Sequence, residues 1–250
     1  MSQYNIKILK ADKMSEGQGA IVNRAFPTNK QSYVDPFVLM DEFFVEPPAS
    51  FPEHPHRGFE AITYMIEGGF KHKDTSGGEA IVRKGGVQRI TMGKGVRHSE
   101  SPSSKGMNHG IQLWVNLPQK VKKIEPSYQV IPEDQLPVER MEGKVIKTIA
   151  GENSPINLKT DIIYRDISLE NRSYQWKIEK QKNGFLYFIS GSANITFNSK
   201  NKKIEEGMIL IKDDTFSYNL IIEPSPKVRF ISLRGRPHKE TISLHGSFVD

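Results

Sequence analysis

His54-Pro55-His56 opens the run HPHRGFEAITYMIEGGF (residues 54–70), and this stretch decides the fold. After the histidine pair, apolar residues gather in EAITYMIE and stop at Glu67-Gly68-Gly69, a glycine-bearing hairpin turn. Outward from there the same grammar repeats. Short stretches rich in Val, Ile, Phe and Tyr are punctuated by 20 glycines and 15 prolines, and helical periodicity is scarce. FLYFISGSANITF (residues 185–197) turns around Gly191 as the first run turns around Gly68. In the first half, Gly86 opens GVQRITMG; in the second, Gly207 opens GMILIKDD. Strand, glycine turn and strand thus recur with an offset of about 120 residues, which reads as two copies of one β-barrel unit. The expected class is all-β. Pro118–Pro137, rich in proline and charge, is read as the connection, giving domains at 1–125 and 126–250.

Composition removes several kinds of chemistry. The chain of 250 residues has no cysteine, which excludes disulfides, thiolate zinc sites, iron–sulfur clusters and thiol catalysis. The net charge of +6 is spread along both halves and forms no block, so a solvated surface is expected and direct nucleic-acid binding is not. MSQYNIKILKADKMSEG carries no apolar leader, and no run of 18 apolar residues occurs, so the expectation is a cytoplasmic protein without a membrane span.

The chemistry lies in two spaced pairs, His54-Pro55-His56 and His98-Ser99-Glu100. In a strand, residues i and i+2 face the same side, so each pair projects two ligand groups into one space. If the two strands are neighbours, three imidazoles and a carboxylate converge. Such a donor set suits iron, zinc, nickel, manganese or copper. Pro55 fits a strand start or an edge. Of the seven histidines, His72 and His109 have no ligand partner at strand spacing and are read as non-ligands, while His238 and His245 are read as packing or surface residues. Overlaying the repeats sets Lys177 and Glu179 opposite His54 and His56, and Asn219 and Ile221 opposite His98 and Glu100. Those side chains cannot rebuild the site, so a metal-free second domain is expected.

The blocks HPHRGFEAITYMIEGGFKHKDTSG, GGVQRITMGKGVRHSE and HGIQLWVNLP closely resemble the signature of the pirin family in the cupin superfamily. GQGAIVNRAFP, DPFVLMDEF and the closing HGSFVD extend the resemblance from Gly17 to Val249. It implies two cupin barrels (double-stranded β-helices) arranged face to face, with Fe(II) in the first, held by His54, His56, His98 and Glu100. The ligand set by itself would also take zinc, nickel, cobalt, manganese or copper. The sequence departs from the general cupin pattern in ways that pirins share: Gly93 stands where proline is expected, and the ligand carboxylate follows the later histidine, leaving Glu60 structural.

Two functions follow from that resemblance. The first is a flavonol ring-opening dioxygenase of the quercetin 2,3-dioxygenase type, with O2 and a flat aromatic substrate as partners and Glu100 as the catalytic base. Phe51, Phe59, Gln112 and Trp114 are the candidate substrate contacts. The second is a regulator that senses metal or redox state and binds a transcription factor or metabolic enzyme.

Overall fold

The computed structural model describes residues 6–198 and 200–250; Met1–Asn5, the start of the N-terminal stretch read above, and Ser199 lie outside the described residues. Among the described residues the chain forms strands and two single 3-10 turns, at Gln119–Val121 and Glu133–Gln135, and no helix is long and apolar enough to cross a membrane. The expected all-β class is observed.

Contacts divide the chain into two compact units, but not at residue 125. One unit comprises 12–136, 155–160 and 238–250; the other comprises the segment ending at Ala11 with 137–154 and 161–237. The physical reason is sheet completion. Each unit's large sheet ends on a strand borrowed from a distant part of the chain, because an uncovered edge leaves backbone donors and acceptors unpaired. In the second unit that strand is β1 (Lys7–Lys10), which pairs with β19 (Met208–Lys212). In the first it is β12 (Ser127–Ile131), which pairs with β9 (Val87–Thr91). The segment read as an interdomain connection therefore contains a working strand of the first unit.

The first unit begins with β2 (Asp12–Glu16), β3 (Ala20–Phe26) and β4 (Phe37–Val45), followed by β5 (Phe51–His56), β6 (Phe59–Glu67), β7 (Gly69–Asp74) and β8 (Glu79–Arg83). After β9 come β10 (Val96–Pro102) and β11 (Asn108–Asn116). A seven-stranded sheet runs β12-β9-β6-β11-β4-β3-β2, and a four-stranded sheet runs β5-β10-β7-β8. Phe43, Met65, Phe70 and Val82 form one buried cluster; Val38, Phe59, Ile90 and Val249 belong to another. At full burial each phenylalanine contributes roughly 2–3 kcal/mol. The turns need their glycines. Gly58, in the HPHRG run, has φ +87°, and a Cβ there would stand 1.8 Å from the Val249 carbonyl oxygen. That close approach docks the C-terminal pair β21 (Leu244–His245) and β22 (Phe248–Val249) against the HxH strand: Val249 N donates to Arg57 O at 3.1 Å.

The second unit repeats this plan with β13 (Val138–Met141), β14 (Lys144–Ala150), β15 (Ile162–Glu170), β16 (Tyr174–Ile178), β17 (Asn183–Phe197), β18 (Lys200–Glu205) and β20 (Tyr218–Gly235). Here β16 pairs with β20 as β5 pairs with β10, and β18 pairs with β17 as β8 pairs with β7. The repeat read from the glycines is a repeat of topology. The residue-by-residue overlay, however, is one position out. Lys177, Asn219 and Ile221 are exposed, and Glu179 lies beyond the end of β16. The buried positions of those two strands hold Trp176, Ile178, Tyr218, Leu220 and Ile222.

Candidate metal centre

Strand pairing alone brings the two motifs together. In β5 and β10, His54 sits directly across from His98 and His56 across from Val96. On the other side of β10, His98 faces Asp74 and Glu100 faces His72, both on β7. A bulge between His98 and Glu100 breaks the register with β5, and bulges of this kind re-aim the side chain that follows.

The three motif histidines converge through defined nitrogens. His54 Nδ1 lies 2.7 Å from the Pro52 carbonyl and His56 Nδ1 lies 3.0 Å from the Ser247 carbonyl. A carbonyl only accepts, so both rings carry their proton on Nδ1 and keep the Nε2 lone pair free. His54 Nε2 is 3.1 Å from His98 Nε2. Burial lowers the His56 pKa to about 4, helped by the neighbouring His54, and burial lowers His98 well below the usual imidazole range, helped by His56, His54 and His72. Both rings are therefore neutral at physiological pH.

Glu100 is placed differently from the expectation of one four-ligand cluster. The ligand atoms of His54, His56 and His98 all lie within 4.8 Å of one another, and a second group of that size is His72, His98 and Glu100. His98 is the shared member. Burial pushes the Glu100 carboxyl up to about 7, against a hydrogen bond from Gln88 that favours the charged form. Gln88 Nε2 donates to Glu100 Oε1 and, at 3.0 Å, to Thr63 Oγ1; Thr63 in turn donates to Gln112 Oε1 at 2.6 Å. Tyr128 on β12 donates to Gln88 Oε1 at 2.9 Å and stacks on His72, with ring centroids 4.4 Å apart.

His72 and Tyr128 are what the sequence reading missed. His72, read from the sequence only as a non-ligand, is fully buried beside the centre. The available signal was His72-Lys73-Asp74, another pair at same-face spacing, with a carboxylate as the second member. Tyr128 gave no signal, since its strand was read as a linker. His109 lies elsewhere: it stacks on Phe44, and its Nε2 is 2.9 Å from Glu42 Oε1. His245 is exposed, and His238 belongs to the first unit, its Nε2 3.3 Å from Thr160 Oγ1. Glu60 is held by Thr91 Oγ1 at 2.8 Å and Lys159 N at 2.8 Å, in keeping with a structural role.

His54, His56, His98 and Glu100 open onto a cavity of about 510 Å³, within the range of small-molecule pockets. Phe51, Gln112 and Trp114 line it with them, together with Arg24 and Asp41. Phe59 does not. Its ring is 0 % exposed and stacks on Trp114 at 4.1 Å, so it backs the pocket wall. Phenylalanine after the Arg57-Gly58 turn falls on the core face of β6, the opposite outcome from Phe51. Trp114 Nε1 is buried without a hydrogen-bond partner among the described residues.

These residues fit a divalent metal. Two nitrogens held cis on an octahedral ion at ~2.1 Å would stand roughly 3 Å apart, close to the His54–His98 separation. His54 turns its Nε2 lone pair toward His98 Nε2 at that distance, where a shared proton or a metal ion can sit.

A family model described as Pirin matches residues 19–115. Pirin-like protein 2 of Arabidopsis thaliana is 36% identical over 260 residues, covering 100% of this chain and 80% of that protein. A quercetin 2,3-dioxygenase from Acinetobacter baumannii superposes with a TM-score of 0.87 at 26% identity, covering 97% of this chain and 90% of the other. A bacterial pirin, YhhW of Escherichia coli in complex with nickel(II), has the same fold at a TM-score of 0.74 and 20% identity, covering 93% and 99%.

Proposed function

The chain belongs to the pirin family of the cupin superfamily, and from that premise we propose that it is a metal-dependent dioxygenase that opens the ring of flavonol-like substrates, with Fe(II) in the first unit. One observation carries the reading. Three imidazoles and a buried carboxylate open together onto a cavity of about 510 Å³ with an aromatic wall. The likeness to the Acinetobacter baumannii quercetin 2,3-dioxygenase supports the choice of reaction class.

His54, His56 and His98 would hold the ion through Nε2, with Glu100 as fourth ligand. A ferrous ion there would supply Lewis acidity toward a substrate hydroxyl and redox chemistry toward dioxygen. The rest falls to this chain's side chains. Trp114, backed by Phe59, and Phe51 present flat apolar surface to an aromatic ring and exclude water from it. Gln112 has its Oε1 occupied by Thr63, which leaves the amide NH2 to orient a substrate oxygen. Glu100 takes the proton of the substrate hydroxyl. Its Oε1 is held by Gln88, so Oε2 is the accepting atom.

The test is aerobic incubation of the iron-loaded protein with quercetin. Loss of the flavonol absorbance with release of carbon monoxide is expected, and Glu100→Gln should slow turnover at least 100-fold while quercetin still binds. Absence of turnover with iron, nickel, cobalt, manganese and copper alike would overturn the reading.

A further inference from the structure

We propose that His72 and Asp74 form a buried relay that sets the tautomer of His98, so that its Nε2 rather than its Nδ1 is offered to the metal. Unlike His54 and His56, His98 has no backbone carbonyl against its Nδ1 among the described residues. Its Nδ1 faces His72 Nδ1, at 3.5 Å. On the far side of the same ring, His72 Nε2 is 2.8 Å from Asp74 Oδ2, and both side chains are 0 % exposed.

The direction of this chain is fixed at its far end. Asp74 Oδ1 accepts from Ser76 N at 2.7 Å, from Ser76 Oγ at 2.6 Å and from Gly78 N at 3.0 Å. Burial by itself would raise the Asp74 pKa, but hydrogen bonds from Ser76, His72 and Gly78 hold it below the usual range. A carboxylate donates nothing, so the proton between Asp74 and His72 belongs to His72 Nε2. A neutral imidazole then has a bare Nδ1, which accepts. The proton between the two rings therefore sits on His98 Nδ1, and the His98 Nε2 lone pair is free toward His54 and His56. Stacking of Tyr128 on His72 keeps that ring in its plane. Each metal-site histidine thus has its Nδ1 facing an acceptor. Two use carbonyls of the chain; the third uses a side-chain relay ending in a charge, the arrangement that raises the basicity of a ligand.

The inference rests on the metal-centre reading but not on flavonol chemistry. Its test is Asp74→Asn. The three turn donors keep the amide oxygen at the Oδ1 position, which puts the NH2 against His72 Nε2. His72 must then carry its proton on Nδ1 and donate to His98, whose own proton moves to Nε2 and blocks the metal. In the full-length metal-free variant, 15N NMR should find His98 protonated at Nε2 where the parent is protonated at Nδ1. Zinc alone should bind about 10–100-fold more weakly. His72→Phe keeps the stack on Tyr128 and removes the relay; it should show mixed His98 tautomers and a smaller loss, and adding Asp74→Asn to it should cost nothing more. An unchanged His98 tautomer in Asp74→Asn, or an equal loss of zinc in the His72→Phe background, would overturn the relay and assign Asp74 to turn architecture only. If Asp74→Asn does not fold, a pure Nδ1-protonated His98 in His72→Phe does the same. Failure of the parent protein to bind zinc would instead count against the metal centre, because the tautomer is read without metal.

Discussion

The β5–β10 pair of the first unit and the β16–β20 pair of the second occupy the same place in two copies of one topology, yet their buried faces differ completely. Across the first pair His54 meets His98; across the second Trp176 meets Leu220. The first interior is polar and must be satisfied by lone-pair partners, carbonyls and a cation. The second is filled by Trp176, Ile178, Tyr218, Leu220 and Ile222, and the one indole N–H donates to Ser232 Oγ at 3.0 Å. The fold tolerates either filling because the ladder hydrogen bonds are indifferent to which side chains face inward. Function then follows from which copy exchanged packing energy for ligands.

That contrast can be broken in several places. The largest effect is expected from His98→Ala, which removes the member common to both ligand groups: bound metal should fall from about one ion per chain to none, read by elemental analysis after loading with iron or nickel. Trp176→Ala should do the reverse. It should destabilise the second unit by about 3–5 kcal/mol, seen as a shifted unfolding transition, and leave metal stoichiometry unchanged.

A smaller effect concerns the buried lysine of each unit. Lys122 Nζ donates to Gly58 O, Asn116 Oδ1 and Val249 O at 2.7–2.9 Å, and Lys212 Nζ donates to the carbonyls of Glu179, Lys182 and Asp214. Methionine at either position strands three acceptors and should cost about 1–3 kcal/mol. Only Lys122→Met should also loosen the metal site, because Val249 and the Ser247 carbonyl that orients His56 share one terminal segment.

The mildest prediction is the pH dependence of metal uptake. Glu100, at about 7, holds a proton in acid that an incoming ion must displace. Affinity for nickel should therefore fall about tenfold per pH unit below 7 and level off above it. His56, at about 4, does not compete in that window. Glu100→Gln should make the dependence shallower, as calorimetric titration between pH 5.5 and 8 would show.

Much of this was legible before any coordinates. Same-face spacing put His54 with His56 and His98 with Glu100, and antiparallel pairing of β5 with β10 did the rest. What spacing cannot encode is which distant strand finishes a sheet. The pairing of Ser127–Ile131 with β9 and of Lys7–Lys10 with β19 depends on edges that exist only after folding, so Tyr128 and the true unit boundaries stayed hidden. Face assignment was the second difficulty. An offset measured between turn glycines is uncertain by one residue, and one residue inverts a strand; hence Lys177 and Asn219 were aligned with ligands although they face outward. Phe51 and Phe59 show the same sensitivity around the Gly58 turn, one lining the cavity and the other buried behind it. His72 was legible through its pairing with Asp74, had a histidine–carboxylate pair been weighed as support for a ligand as well as a ligand itself.

The central claim is that three imidazoles and Glu100 hold one ion in the first unit. Anomalous diffraction from crystals of the iron-loaded protein, recorded on both sides of the iron edge, addresses it directly. The account predicts a single strong peak at roughly 2.0–2.2 Å from Nε2 of His54, His56 and His98 and from a Glu100 carboxylate oxygen. Peaks only in the second unit, or an iron bound without those nitrogens, would contradict it.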